Sequence, residues 1–133
     1  MERTFVMIKP DGVKRKLIGE IISRIENRNL IIREIVMRTP DRELAEKHYL
    51  AHAGKDFYEP LVDFVISGPV VAMVVEGDNA IALVRKMMGA LNPLDALPGT
   101  IRGDLTISTR ENLVHGSDCL ESAEYEISLW FPG

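Results

Sequence analysis

The residues best suited to carry out chemistry stand in one short segment, NLVHGSD, which runs from Asn112 to Asp118. Its histidine, His115, is set among small polar residues, which makes it a poor candidate for the core. A neutral imidazole is a good nucleophile near neutral pH, because the free ring titrates at about 6.5. Gly116 has no Cβ and leaves room beside the ring for a ligand or a turn. The segment predicts a nucleophilic histidine, and a turn histidine bonded to its neighbours is the alternative.

This segment leads directly into the last predicted helix. Asp118-Cys119-Leu120-Glu121 matches a capping box, in which an acidic N-cap is followed by a glutamate three positions later. We expect the helix to run from about residue 121 to 129 and to bury Ala123, Ile127 and Trp130. Because a helix N-terminus attracts anions, a histidine just before it is well placed to meet an anionic substrate.

A lysine near the start of the chain is a second candidate. Residues 3–9 alternate and are rich in β-forming side chains, with Phe5 and Met7 on one face, so they predict a strand that ends at Lys9. The next residues, Pro10-Asp11-Gly12, predict a turn that ends the strand. Lys9 is therefore placed to face a ligand, although a solvated lysine closing a strand fits the same pattern.

The two segments together, MIKPDGV at residues 7–13 and NLVHGSD at residues 112–118, resemble those of nucleoside diphosphate kinases, and the similarity runs from Glu2 to Phe131. The resemblance implies that His115 becomes phosphorylated, with Ser117 assisting nearby and Glu126 orienting the imidazole. It also implies a set of nucleotide contacts. These are Lys9, Arg85 and Arg102 on the phosphates, Asn112 on the sugar, Phe57 on the base, and Tyr49 at Lys9 or the phosphates.

The implied reaction is phosphoryl transfer by covalent catalysis. His115 attacks the γ-phosphate of a nucleoside triphosphate, and a nucleoside diphosphate then takes the phosphoryl group from the histidine in a ping-pong cycle. Cations and Mg²⁺ would carry most of the charge stabilisation. No residue cluster has metal-ligand spacing, so Mg²⁺ is expected to arrive on the nucleotide. Stacking on the base without contacts to its edges would make the reaction tolerant of base identity.

Three positions depart from the pattern of the family. Leu91 stands where a threonine usually meets phosphate, and its side chain has no donor. The loss of a hydrogen bond to a charged group corresponds to about 1–3 kcal/mol, so catalysis is expected to be weakened. Thr109 and Arg110 also differ, at positions that bear on base affinity.

The spacing of apolar residues predicts the elements that hold these side chains. Strands are expected at residues 3–9, 30–37, 70–75 and 113–115, and helices at 18–25, 39–52, 57–66, 79–88 and 121–129. Thr39 is the expected N-cap of the second helix, with Pro40 at its first position. Without insertions the order is β-α-β-β-α-β, an α+β, ferredoxin-like split βαβ core. We expect a mostly antiparallel four-stranded sheet with helices on one face and a long loop at 89–112.

Composition narrows the class of protein. The chain of 133 residues, with a net charge of −4, fits a single domain that has no general attraction for nucleic acid or anionic membranes. No signal peptide is apparent, and the longest apolar run, residues 70–75, is too short to cross a bilayer. The single cysteine, Cys119, excludes an internal disulfide and fits a reducing cytoplasm. A Cys/His pair with His115 is a weaker interpretation than a small buried apolar residue.

Two other functions are compatible with these features. The chain could be a ferredoxin-like regulatory module that binds nucleotide without turnover, which the loss of a donor at Leu91 slightly favours. It could also be a scaffold whose main role is assembly. The family resemblance implies a homo-oligomer, a hexamer rather than a tetramer, built through the second strand and the loop from Gly89 to Asp104. The nucleophile and its partners favour the enzyme, because mere binding does not need them.

Overall fold

A computed structural model describes the whole chain, residues 1–133. Its strands are β1 (Glu2–Ile8), β2 (Ile31–Arg38), β3 (Val70–Gly77) and β4 (Val114–Gly116). Its helices are α1 (Pro10–Lys14), α2 (Ile18–Asn27), α3 (Arg42–His48), α4 (Tyr58–Val65), α5 (Ala80–Met88), α6 (Ile101–Leu105) and α7 (Leu120–Trp130). A single 3₁₀ turn at Leu50–His52 connects α3 with the segment before α4.

The four strands form one sheet in the order β2-β3-β1-β4, and every neighbouring pair is antiparallel. This confirms the predicted split βαβ core. Strand β3 is buried along its whole length, as its continuous apolar sequence predicts. Strand β2 lies at an edge of the sheet and carries a bulge between Ile32 and Glu34, where Arg33 and Glu34 interrupt the apolar pattern.

Helices cover both faces of this sheet, so the prediction of helices on one face is wrong. Val6 and Ile8 of β1 pack in a cluster with residues of α2, α5 and α6. Phe5 and Met7, which point the opposite way, pack with residues of α3, α4 and α7. The physical reason is that β1 and β3 are apolar on both sides, and a sheet with two apolar faces needs a layer on each. The helices inserted between β2 and β3, together with α7, form the second layer.

Several local predictions need correction. Asp41, not Thr39, is the N-cap of α3, because its Oδ1 accepts a hydrogen bond from Leu44 N at 2.8 Å. The predicted capping box at Asp118 does not form: Cys119 is the N-cap of α7 and makes no side-chain cap. Asp118 instead accepts a hydrogen bond from Ser122 Oγ at 2.7 Å, one turn into the helix.

Two short helices replace predicted irregular segments. Residues 10–12, predicted as a turn, are part of α1, whose first position suits Pro10 because no hydrogen-bond donor is needed there. The predicted loop at 89–112 contains α6, which Thr100 caps by accepting a hydrogen bond from Gly103 N at 2.9 Å. A five-residue helix is too short to show apolar periodicity. None of the helices combines the length and the hydropathy that crossing a membrane requires.

Candidate active site

Strand β4 is the platform on which the candidate residues meet. It pairs with β1 so that His115 lies opposite Met7, and directly opposed residues in an antiparallel pair point to the same face. The imidazole therefore points to the face of the sheet that α7 covers. A tilted Phe5 ring lies 6.0 Å from it, centroid to centroid, on the same face. The side chain of His115 keeps 23% of its surface exposed, so the ring is reachable from solvent.

One carboxylate fixes the orientation of this ring. His115 Nε2 lies 3.0 Å from Glu126 Oε1, and Ser117 Oγ donates to the same oxygen at 2.7 Å. Phe5 N in turn donates to Ser117 Oγ at 3.3 Å. An ionised carboxylate is only an acceptor, so Nε2 is the donor in its bond and carries the ring hydrogen. The other nitrogen, Nδ1, then keeps its lone pair and can act as a nucleophile.

Arg102 lies buried behind β4 and binds main-chain carbonyl groups. Its Nε donates to Asn112 O at 3.2 Å, and its two terminal nitrogens donate to Val114 O at 2.8 Å and Gly89 O at 2.9 Å. A guanidinium has five N–H groups, so these bonds leave two for another acceptor. Arg102 thus combines an internal structural role with free donors, and the second feature is compatible with its predicted phosphate contact.

Lys9 and Arg85 approach the same strand from other elements. Lys9 Nζ donates to Asn112 Oδ1 at 3.0 Å, and an Arg85 terminal nitrogen donates to Gly116 O at 3.3 Å. The contacts of Arg85 and Arg102 are on residues that flank His115 on either side. Three basic side chains from separate parts of the sequence therefore bond to residues 112–116, the segment that contains His115.

Crowding and burial alter how strongly these cations hold their protons. Burial and the nearby Arg102 lower the pKa of Lys9 to about 8, and the carboxylate of Asp11 opposes this change. Burial and Arg85 lower the pKa of Arg102 to about 10. Positive groups that have lost water and lie close together are stabilised by a polyanion, so the cluster favours a phosphorylated ligand.

Leu113, just before β4, has an unusual backbone conformation. Leu113 is fully buried with φ of 74°, and Val114 N donates to Asn112 O at 2.9 Å, which closes a γ-turn around it. Such turns are rare and strained, and backbone strain of this kind costs about 1–3 kcal/mol. Asp11 Oδ2 accepts from Leu113 N at 3.0 Å, and Lys9 N donates to Leu113 O at 2.8 Å. The sequence predicts Asp11 only as part of a turn, and it predicts no functional role for Leu113.

A histidine that the sequence analysis left without a role packs beside the site. The rings of His48 and His115 meet edge to face, with centroids 4.8 Å apart. Trp130 Nε1 donates to His48 Nδ1 at 3.0 Å, so the hydrogen of the neutral ring is on Nε2, which is buried without a partner. Burial, followed by repulsion from His115 and Lys9, holds the pKa of His48 well below its usual value. His48 is therefore a neutral ring of fixed tautomer.

His48, His115 and Glu126 are also the one group of three possible metal ligands, with their ligand atoms within 4.8 Å of one another. Two of these ligands are ring nitrogens, and Nε2 carries the hydrogen in both rings. This set does not fit Mg²⁺, which prefers oxygen ligands in an octahedral arrangement. The chain therefore offers no cluster that suits magnesium by itself.

The predicted base-binding side chain lies at the end of a row of aromatic rings. The row runs through His48, Tyr49, His52 and Phe57, with successive centroids 4.7, 6.5 and 5.1 Å apart. Phe57 is 48% exposed, so part of its ring is open to solvent, and Lys55 Nζ lies 5.6 Å from the ring centroid. Tyr49 is buried and its hydroxyl makes no hydrogen bond to Lys9, the contact implied for it. Burial and the Glu126 carboxylate raise its pKa, which keeps the hydroxyl protonated.

The positions that depart from the family pattern are at the surface. Leu91 is 53% exposed between α5 and α6, and Thr109 and Arg110 are exposed just before β4. The backbone carbonyl of Thr109 accepts from Asn112 Nδ2 at 3.0 Å. That bond does not depend on the side chain at position 109, so the departure there leaves the placement of Asn112 intact.

Comparisons with known proteins agree with this geometry. The family model for nucleoside diphosphate kinase matches residues 2–133. The chain belongs to the nucleoside diphosphate kinase family. It is 60% identical to a nucleoside diphosphate kinase of Listeria monocytogenes over 131 residues, which cover 98% of this chain and 89% of that one. It is 58% identical to one of Mycobacterium bovis over 133 residues, which cover 99% and 98% of the two chains.

Solved nucleoside diphosphate kinases share the fold as well. An apo enzyme from Encephalitozoon cuniculi matches with a TM-score of 0.96 at 47% identity, covering 100% of this chain and 90% of that one. A halophilic enzyme from Halobacterium salinarum, in complex with CDP, matches with a TM-score of 0.95 at 49% identity, covering 99% and 88%. The predicted family and the predicted ferredoxin-like core are both confirmed.

Proposed function

We propose that His115 Nδ1 is the atom that carries the phosphoryl group in this member of the nucleoside diphosphate kinase family. The chain is a phosphotransferase that moves the γ-phosphate of a nucleoside triphosphate to a nucleoside diphosphate through a phosphohistidine. The observation that carries the assignment to Nδ1 is the 3.0 Å contact of Glu126 with Nε2, because it leaves only the other nitrogen with a lone pair. A non-catalytic nucleotide-binding module is not favoured for a chain of this family.

Each half-reaction follows from the placement of the side chains. Nδ1 of His115 forms a bond to the γ-phosphorus as the bond to the β,γ-bridging oxygen breaks, and the nucleoside diphosphate leaves. Glu126 stabilises the positive charge that develops on the imidazole, since it accepts the Nε2 hydrogen throughout. A terminal phosphate oxygen of a second nucleoside diphosphate then bonds to the same phosphorus as the Nδ1–P bond breaks, and the ring returns to its neutral form. One site serves both steps, which is ping-pong kinetics.

Three cations are available to neutralise the phosphates. Lys9 provides a point charge, and Arg102 and Arg85 provide N–H donors that match phosphate oxygens. Mg²⁺ belongs with the nucleotide in this proposal, held by phosphate oxygens and water, and it would add positive charge at the transferring group. We assign the sugar to Asn112 and one face of the base to Phe57. Stacking of that kind does not depend on which base is bound.

The test is retention of acid-labile label. The protein is incubated with γ-labelled ATP and Mg²⁺, and then challenged with a deoxynucleoside diphosphate. Wild type is expected to retain about one label per chain and to pass it on. His115→Ala should retain none, while His52→Ala, a matched change of a half-buried histidine in the same row of rings, should still be labelled. Label that persists in His115→Ala would exclude His115 as the carrier.

We further propose that the protein works as a homo-oligomer in the cytoplasm, a hexamer rather than a tetramer. Support for association comes from β2, an edge strand on which Ile31, Ile35 and Met37 are 40%, 52% and 54% exposed. An open edge with apolar side chains is suited to pairing with another chain. The loop before α6 adds two more exposed leucines, Leu94 and Leu97. The single cysteine, Cys119, is exposed, so the prediction that it is a buried apolar residue is wrong, but a free thiol still fits a reducing compartment.

A further inference from the structure

The γ-turn at Leu113 joins the two parts of the site that must keep a fixed distance. Asn112, on one side of the turn, receives the Lys9 ammonium, and His115 follows two residues after the turn on β4. A change in the Leu113 backbone would therefore shift the sugar and phosphate contacts relative to the nucleophile. Because Leu113 is not glycine, its left-handed conformation persists only if neighbouring groups hold it.

Two side chains bind the peptide group between Asn112 and Leu113, and Asp11 is the one that binds its N–H. Asp11 Oδ2 accepts from Leu113 N at 3.0 Å in the interior, whereas Arg102 Nε donates to the carbonyl, Asn112 O, at 3.2 Å. Gly12 allows the close approach: a Cβ there would lie 3.2 Å from Leu113 O and 2.7 Å from Ile8 Cγ2. The second oxygen of the carboxylate, Oδ1, is buried without a partner. A buried carboxylate with one partner is costly, so stability alone gives little reason for an aspartate at this position.

The charges around Asp11 belong to the same site. Burial raises the pKa of its carboxyl, the bond from Leu113 N and the charge of Lys9 oppose that change, and the more distant Glu111 adds to it. In the other direction, the carboxylate supports the protonated form of Lys9 against burial and Arg102. The negative group therefore acts on a phosphate-binding cation as well as on the backbone.

We propose that Asp11 is a positioning residue for phosphoryl transfer, which fixes Asn112 and His115 relative to each other by holding the γ-turn at Leu113. Asp11 touches neither the nucleotide nor the reacting nitrogen. It acts through the Leu113 backbone, and its effect is on the rate at which His115 is phosphorylated. This inference rests on the assignment of His115 as the phosphorylated residue.

The experiment compares Asp11→Ala with Asp11→Asn by single-turnover labelling with γ-labelled ATP, at a pH well below the pKa of Lys9. Asparagine keeps an acceptor for Leu113 N, whereas alanine keeps none. Asp11→Ala is expected to slow phosphorylation on the order of 100-fold, since small misplacements have effects of that size. Asp11→Asn should retain most of the rate. If Asp11→Ala does not fold, Asp11→Ser, whose shorter hydroxyl reaches less well, should fall below Asp11→Asn.

A matched control separates positioning from simple loss of stability. Asp41→Ala also removes a carboxylate that accepts one backbone N–H, Leu44 N at 2.8 Å, but at the start of α3 away from β4. It should lower the melting temperature and leave the labelling rate unchanged. Equal rates for Asp11→Ala and wild type, or an Asp11→Asn variant as slow as the alanine or serine variant, would overturn the proposal.

The pH profile provides a readout that a merely structural role would not move. In Asp11→Asn the carboxylate no longer stabilises the charge of Lys9, so the alkaline decline of kcat/KM should occur at lower pH than in wild type. An alkaline decline at the same pH in both proteins counts against the contact between Asp11 and the site. If wild type itself takes no label, the assignment of His115 fails instead, and that result is distinct from equal labelling of wild type and Asp11→Ala.

Discussion

Lys9 is the residue whose chemistry depends most on its surroundings. A lysine in water stays protonated far above neutral pH, but here burial and Arg102 bring its pKa to about 8. Its ammonium also has a fixed place, because it donates to Asn112 Oδ1 at 3.0 Å. The cation is therefore partly desolvated and aimed before any substrate arrives, which reduces the reorganisation that binding a polyphosphate requires.

This pKa predicts how activity falls in alkaline solution. The protonated form of Lys9 binds phosphate, so kcat/KM should decline as pH rises through about 8, the value for the free protein. Bound polyphosphate favours the charged form and raises the pKa, so kcat should decline only at higher pH. Lys9→Arg should lower kcat/KM but remove this limb, because a guanidinium remains charged. Lys14→Arg, at an exposed helix position, is the control that should leave the profile unchanged.

Leu91 gives a second prediction at the scale of one side chain. Leucine cannot donate to phosphate, and a hydrogen bond to a charged group is worth about 1.5–3 kcal/mol. Leu91→Thr is therefore expected to raise kcat/KM by roughly tenfold or more. The side chain is half exposed, so the change should leave the melting temperature nearly the same. Steady-state kinetics over a range of nucleotide concentrations would measure the effect, and no gain at any concentration would show that Leu91 does not face phosphate.

The sequence predicts His115 as the nucleophile and several of its partners, but two residues that support the site carry no signal in it. His115 and Lys9 were recognised because they stand in unusual local surroundings, and the resemblance supplied Glu126, which is eleven positions from His115. Asp11 and His48 carry no such local signal. Asp11 is paired with Leu113, and His48 with Trp130, across 102 and 82 residues of sequence. Partners so distant are set by the packing of the sheet and its helices, which a single sequence does not specify.

Strand β4 is a three-residue element that depends on an arginine for its position. Its pairing with β1 is brief, and Arg102 adds three hydrogen bonds that join Asn112 and Val114 to Gly89 at the end of α5. Because the carbonyls lie on segments far apart in sequence, one side chain ties α5, α6 and β4 together. The loop at 89–112 is thus anchored near both of its ends.

Removal of the Arg102 side chain should destabilise the fold as well as slow the reaction. Arg102→Met keeps much of the side-chain length but removes one hydrogen-bond donor from each of three carbonyl groups, and we expect a loss of about 2–4 kcal/mol in the free energy of unfolding. Arg42→Met, which breaks exposed ion pairs with Glu59 and Asp63, should cost less than about 1 kcal/mol. Urea unfolding of the two variants measures the difference. Equal losses would contradict the anchoring role of Arg102.

Long periodic elements were predictable and short ones were not. Helices α2 and α5 and the buried strand β3 have clear apolar spacing, which survives whatever packs around them. Helices α1 and α6 are five residues each, so tertiary hydrogen bonds decide whether they form. The predicted N-caps of α3 and α7 are wrong by one or two residues. Several polar residues stand side by side at each helix start, and the backbone direction decides which of them is the N-cap.

On the scale of the whole molecule, one set of exposed apolar side chains lies along the β2 edge of the sheet. Both faces are covered by helices, and β4 at the opposite edge is short and holds the site. Strand β2 is longer, has no partner on its outer side, and presents Ile35 and Met37 to solvent. In a monomer this edge would be open to uncontrolled pairing with other chains. A specific assembly through β2 is the simplest way to give its unpaired backbone groups a partner.

A charge placed on this edge tests the assembly. Ile35→Lys puts an ammonium among the apolar side chains of β2, where a paired strand would bury it without a partner, so we expect a smaller particle by analytical ultracentrifugation. Leu120→Lys is the matched control, because its side chain is 55% exposed, close to the 52% of Ile35, but it lies at the start of α7. The control should sediment as wild type does. Since His115 and its partners all lie within one chain, Ile35→Lys should still accept the γ-phosphate label. An unchanged sedimentation coefficient for Ile35→Lys, or the same decrease in both variants, would exclude β2 as the assembly surface.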